Sequence, residues 1–232
     1  MLRELLSIFR ASDPLSEMGE NFRQMLQLAY DMNVAAGEIF FGEGSRQPGR
    51  ERIYEWDNQV NELERVIRRQ VVTHLSVKGN EADLPYSLLL ISLVKDVERL
   101  GDYAKNLSEI VDIRPDPLPD GLVVTELRAI RARVEHAFRS CADVFVASRR
   151  EEAVELIRQG RETARRCDRL VADIGHGDYD AATTTALILG TRYYKRIGGH
   201  VLNVLSSVVM PLDRVDYYDE SDAFPGATAR ES

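Results

Sequence analysis

A short string occurs twice in this chain, and its spacing restricts the folds open to it. Residues 93–111 read LVKDVERLGDYAKNLSEIV and residues 192–208 read RYYKRIGGHVLNVLSSV. Aligned, both carry Arg-x-Gly-x-x-x-x-Asn, first as Arg99, Gly101 and Asn106, then as Arg196, Gly198 and Asn203. A repeat set close to half a chain length apart marks a duplicated unit. The 232 residues therefore divide into two similar halves. The copies are unequal. The first keeps two acids four apart, Glu98 and Asp102, where the second has Lys195 and Gly199.

Helical periodicity fills both halves. Phe22, Met25, Leu26, Ala29, Met32 and Ala36 recur at threes and fours after the Ser12-Asp13-Pro14 break, which predicts a first helix over about 15–41. The turn-rich GEGSRQPGR at 42–50 ends it. A second helix spans about 51–77, with Ile53, Val60, Leu63, Val66, Ile67, Val71 and Leu75 facing inward. After a polar connection at 78–85, the third runs over about 86–113, and Pro85 suits its first turn. The segment RPDPLPD at 114–120 has three prolines in seven residues and reads as a short, stiff link. Helices over about 122–147, 150–174 and 180–210 then repeat the plan, and Pro211 closes the last. No stretch alternates with a strand period.

The predicted fold is all-α, two tandem three-helix bundles. Residues 1–113 form the first bundle, with a short amphipathic N-terminal helix carrying Leu2, Leu5, Leu6 and Phe9. Residues 114–120 are the linker, 121–212 the second bundle, and 213–232 a mobile acidic tail.

Composition removes several functions. A net charge of −8 argues against nucleic-acid binding and against unaided adhesion to an anionic membrane, so membrane proximity is expected only through partners. The longest apolar run, 88–94, stops at Lys95, far short of the roughly 20 residues that span a bilayer. The first ten residues have too short an apolar centre for a signal peptide. Only Lys78, Lys95, Lys105 and Lys195 are lysines among 30 cationic residues, which reads as genome bias. Cys141 and Cys167 form no Cys-x-x-Cys and read as buried apolar thiols of a cytosolic protein.

Residues four apart share a helix face, so Glu98, Asp102 and Asn106 form one polar stripe on the third helix. Asp57 and Asn61 form a second on helix two. If these helices are antiparallel neighbours, the oxygens make a hard-donor set for Mg²⁺, Mn²⁺ or iron. The competing reading is a solvated face paired with Arg99 or Arg65. Gly101 costs roughly 1 kcal/mol against Ala in mid-helix, which suggests room kept for a close backbone or a bound group. No Glu-x-x-His occurs, and His74, His136, His176 and His200 are scattered, which disfavours a di-metal enzyme. With no nucleophile–base spacing and no Walker loop, no catalysis is expected.

The string from Asp96 to Asn106 resembles the signature helix of the PhoU family, accessory regulators of bacterial phosphate uptake. That resemblance implies two three-helix bundles with metal ions held by paired acids. Carried over, the first bundle's ligands are Asp57, Asn61, Glu98 and Asp102, with Asn61 standing where an acid is usual. The matching second-bundle positions are Ala164, Asp168, Lys195 and Gly199, and only Asp168 keeps an acid. Lys195 repels a cation there and is placed to pair with Asp168. A divalent or trivalent ion (Mg, Mn, Fe or Zn) is thus expected in the first bundle only. The resemblance further implies a cytoplasmic, non-catalytic go-between and a homodimer as in some relatives. Its implied partners are the ATP-binding subunit of the high-affinity phosphate transporter and the sensor histidine kinase of the phosphate response, both held in check. Two alternatives stay open: an accessory of a sodium-coupled or low-affinity phosphate transporter, and a metal-free helical adaptor. The stretch from Arg192 to Arg196 reads either as a docking face for an acidic partner or as an ordinary amphipathic segment.

Overall fold

A computed structural model describes residues 14–212. The amphipathic segment expected at 2–9 and the tail expected from 213 lie outside the described residues. Six long helices follow one another: α1 (Pro14–Phe40), α2 (Arg46–Leu75), α3 (Leu84–Glu109), α4 (Leu122–Val146), α5 (Arg150–Gly175) and α6 (Ala181–Val209). Among the described residues there is no strand. The all-α fold of two three-helix bundles, α1–α3 and α4–α6, is the one the periodicity predicts.

The predicted inner faces are buried. Phe22, Met25, Leu26, Ala29, Met32 and Ala36 of α1 are all inside, as are Ile53, Val60, Ile67 and Val71 of α2. On α3 the row Leu93, Val97, Leu100, Ala104 and Leu107 is buried, which leaves Glu98 and Asp102 half-buried on another edge.

Helix ends follow local chemistry, and one departs from expectation. Gly42 stops α1 with a φ of 71°, letting the Glu43 N–H reach back to the Glu38 carbonyl at 2.8 Å. The loop expected at 42–50 is shorter than predicted, because α2 starts at Arg46 and takes Pro48 into its first turn. Proline fits there, since first-turn N–H groups have no helical partner to lose. Pro85 sits in the first turn of α3 as expected, and the predicted helix to 113 ends instead as a 3-10 turn at Ile110–Asp112. Asp180 caps α6, its Oδ1 accepting the Thr183 N–H at 2.8 Å.

The two bundles share one continuous apolar core. Helix α1 packs on α4 through Phe22–Phe145, with ring centroids 5.1 Å apart, and Tyr30–Phe138 at 5.6 Å. Each fully buried ring of this kind is worth about 1.5–3 kcal/mol. Gly190 of α6 permits the closest approach, since a Cβ there would lie 2.4 Å from the Phe40 ring. The proline-rich link is also tied down. Arg114 donates to the Asp116 and Pro117 carbonyls and, at 2.8 Å, to Thr183 Oγ1, while Arg46 donates to the Pro115 carbonyl. Both cysteines are buried free thiols. No described helix is long and apolar enough to cross a membrane.

Candidate functional site in the paired helix grooves

The groove between α2 and α3 collects the expected acids, but a fifth side chain arranges them. Lys105, one turn beyond Asp102 on α3, donates to Asp57 Oδ2 at 3.0 Å and to Asp102 Oδ1 at 3.4 Å. Asn61 donates to the same Asp57 oxygen at 3.4 Å. Glu98 is engaged on its own helix, by Lys95 at 2.8 Å and Arg99 at 3.8 Å, and Arg99 also reaches Asp102 at 3.3 Å. Three of the four predicted residues, Asp57, Asn61 and Asp102, thus join one hydrogen-bonded group, and Glu98 stands beside it.

A hard cation needs oxygen donors at about 2.0–2.6 Å around one point. Here an ammonium holds that point, and among the described residues no three His, Cys, Asp or Glu side chains stand close enough to hold a metal ion. As arranged, the groove does not fit the ion. Asp57 keeps only 13% of its side-chain surface exposed and Lys105 23%, so this pair is partly desolvated. Burial alone would lower the Lys105 pKa, but hydrogen bonding and attraction to Asp57 and Asp102 outweigh it and hold the group above the ordinary lysine value. It remains an ammonium at neutral pH. Sequence reasoning passed over Lys105 because its partner Asp57 lies 48 positions away. The signal within reach was its i,i+3 spacing from Asp102.

At Gly101 no backbone comes close. A Cβ there would meet Met32 Cε at 3.4 Å and Asp57 Oδ1 at 3.7 Å, ordinary contact distances, so the protein's own packing does not require glycine.

The groove between α5 and α6 is the second copy. Lys195 Nζ lies 2.5 and 2.6 Å from the two Asp168 oxygens, with Arg192 at 3.8 Å, the pairing that the family resemblance implied. The rest of the Arg192–Arg196 stretch is amphipathic. Tyr194 is fully buried and Tyr193 half-buried against Tyr103, which leaves Arg192 and Arg196 exposed.

Between the grooves, α3 and α6 run antiparallel. Asp96, 9% exposed, lies 2.7 Å from His200 Nδ1 and accepts from Asn203 Nδ2 at 2.8 Å. His200 stacks on Tyr103 at 5.6 Å, and Tyr103 meets Tyr193 at 6.1 Å. The 97-position shift between the motif copies carries Asp96 onto Tyr193 and Tyr103 onto His200. Asp96–His200 and Tyr193–Tyr103 are therefore one contact made twice about a local two-fold axis, on which Tyr103 and His200 stack. The motif residues His200 and Asn203 serve this seam rather than a site of their own.

Comparison with known proteins places this architecture. Residues 15–111 match the family model described as the PhoU domain. A stretch of 60 residues, 26% of this chain, is 38% identical to the phosphate-specific transport system accessory protein PhoU homolog 1 of Thermotoga maritima and spans only 25% of that protein's length. The crystal structure of the phosphate transport system regulatory protein PhoU from Streptococcus pneumoniae matches with a TM-score of 0.75 at 16% identity, over 88% of this chain and 97% of that one. That of PhoU from Pseudomonas aeruginosa matches at 0.67 and 20% identity, covering 92% and 99%. At these identities the solved structures speak for the fold.

Proposed function

We propose that this chain, a PhoU-family protein through its domain at residues 15–111, is a non-catalytic cytoplasmic adaptor that restrains phosphate uptake when phosphate is plentiful. The PhoU domain match carries the reading, and the named Thermotoga maritima relative, an accessory protein of a phosphate-specific transport system, supports it. In this reading the adaptor docks on the ATP-binding subunit of a phosphate transporter and on the sensor kinase of the phosphate response, and it self-associates as a dimer. The exposed arginines of the second bundle suit an acidic partner. Residues 121–212 carry 14 cationic and 11 acidic side chains, against 11 and 17 in residues 14–113.

The test is deletion of the gene in its own host, reading radioactive phosphate uptake and a phosphate-response reporter in high phosphate. Both are expected to rise. Unchanged uptake and reporter would remove the regulatory reading. Derepression of sodium-coupled uptake alone would move the adaptor to a different transporter. A monomer in light scattering would remove self-association and leave the rest standing.

A further inference from the structure

We propose that the ammonium groups of Lys105 and Lys195 do in this protein what bound metal ions are expected to do in its family, so that both bundles are closed without metal. In each bundle an aspartate of the second helix is held by a lysine of the third: Asp57 by Lys105 at 3.0 Å, and Asp168 by Lys195 at 2.5 Å. The comparison with metal rests on the PhoU-family reading, but the two ion pairs do not, and a metal assay can fail while the phosphate-uptake test succeeds.

Two observations carry it beyond ordinary surface ion pairing. The first concerns residue type. Lysines are four of 30 cationic residues, yet Lys95, Lys105 and Lys195 all lie on the motif acids or on Asp168. An ammonium is a compact point charge with donors in several directions, as a cation shared between carboxylates must be, whereas guanidinium is a planar fork. Arginines reach the motif acids as well, Arg99 at Asp102 and Arg192 at Asp168, but the short contact to each helix-two aspartate is made by lysine, at 3.0 Å to Asp57 and 2.5 Å to Asp168.

The second concerns position. Lys195 replaces the acid that corresponds to Glu98, whereas Lys105 lies three residues after Asp102, where the second copy has Leu202. The two locks are therefore not one inherited feature seen twice. Each half places a positive charge over its helix-two aspartate from a different turn. In the first half the same ammonium also takes up Asp102, so an incoming cation would have to expel a charged group that two carboxylates retain.

The full chain, purified without chelator, is assayed by elemental analysis and by thermal unfolding with EDTA and with added Mn²⁺ or Zn²⁺. The wild type is expected to carry far less than one metal ion per chain and to melt at the same temperature in EDTA and in Mn²⁺. Lys105→Met, which keeps the stem and removes the charge, should lower Tm by roughly 3–6 °C. Asp57→Asn should cost less in that background than in the wild type, because the two side chains act as a pair. If Lys105→Met does not fold, the wild-type measurements decide alone. Metal near one ion per chain, or a wild-type Tm that falls in EDTA, would falsify the proposal. So would a Lys105→Met protein with unchanged Tm.

Discussion

The first bundle and the second share a fold and a groove but solve the groove differently. In the first, one ammonium gathers two carboxylates, Asp57 and Asp102, in a bundle with a net charge of −6 over residues 14–113. In the second, one lysine meets one aspartate, in a half with a net charge of +3 over residues 121–212. There a bidentate Arg166–Glu126 pair, both bonds at 2.6 Å, adds a bridge from α5 to α4. A helical bundle constrains where its charges meet far more than what they are. In the second half the other motif positions are Ala164 and Gly199, and the Lys195–Asp168 pair is what is left of the stripe.

That contrast can be broken most severely at the seam. Gly190→Ala forces a methyl into the Phe40 ring and should destabilise the whole chain by roughly 1–3 kcal/mol in urea unfolding. A neutral result would mean that the bundles do not share one core. Asp96→Ala removes the buried acceptor of His200 and Asn203 and should cost about 1–3 kcal/mol, with Asp96→Asn milder because one acceptor oxygen remains. Equal losses in the two variants would show that the carboxylate charge, rather than the hydrogen bonds, holds the seam.

Gly101→Ala should move in the opposite direction, stabilising by up to about 1 kcal/mol, because the site accepts a Cβ and alanine is the better helix former. Destabilisation there would reveal a need for glycine that the packing does not show. The Glu126–Arg166 pair gives a smaller, pH-dependent effect. The hydrogen bond from Arg166 holds the Glu126 pKa below its ordinary 4.5. Its contribution is therefore complete above pH 4.5 and is lost as pH falls through the lower folded value. Glu126→Gln should flatten that acid limb by no more than about 1 kcal/mol, as befits a partly exposed pair. Smallest of all, burial pushes the Cys167 thiol up to about 11 and raises Cys141 as well, so a thiol reagent should label neither in the native protein at neutral pH. Rapid native labelling would show that α4 or α5 opens readily.

Much of this was legible before any coordinates. Apolar spacing gave six helices and their inner faces because burial imposes the helical period directly on the sequence. The start of α2 was not, since GEGSRQPGR looks the same whether Pro48 lies in a loop or in a first helical turn. The acids Asp57, Glu98 and Asp102 declared themselves by spacing, whereas the Asp168–Lys195 pair came only from laying the family motif over the second half. Lys105 did not declare itself, nor did the joining of Asp96 to His200 and Asn203 across 104 and 107 positions. Those pairings depend on which helix lies beside which. A local pattern cannot carry that information, and His200 read as an isolated histidine has no visible partner.

The local two-fold between α3 and α6 has a consequence for how such a chain can change. In an assembly of two identical subunits every substitution appears on both sides of the axis, so an aspartate opposite a histidine would have to be made twice, and a bad choice is suffered twice. A single chain carrying both halves is released from that rule. Asp96 faces His200 on one side while Tyr193 faces Tyr103 on the other, polar on one flank and aromatic on its mirror. Covalent joining lets each flank drift on its own account, and a molecule built on a symmetric plan can come to offer two unlike sides to the proteins it meets.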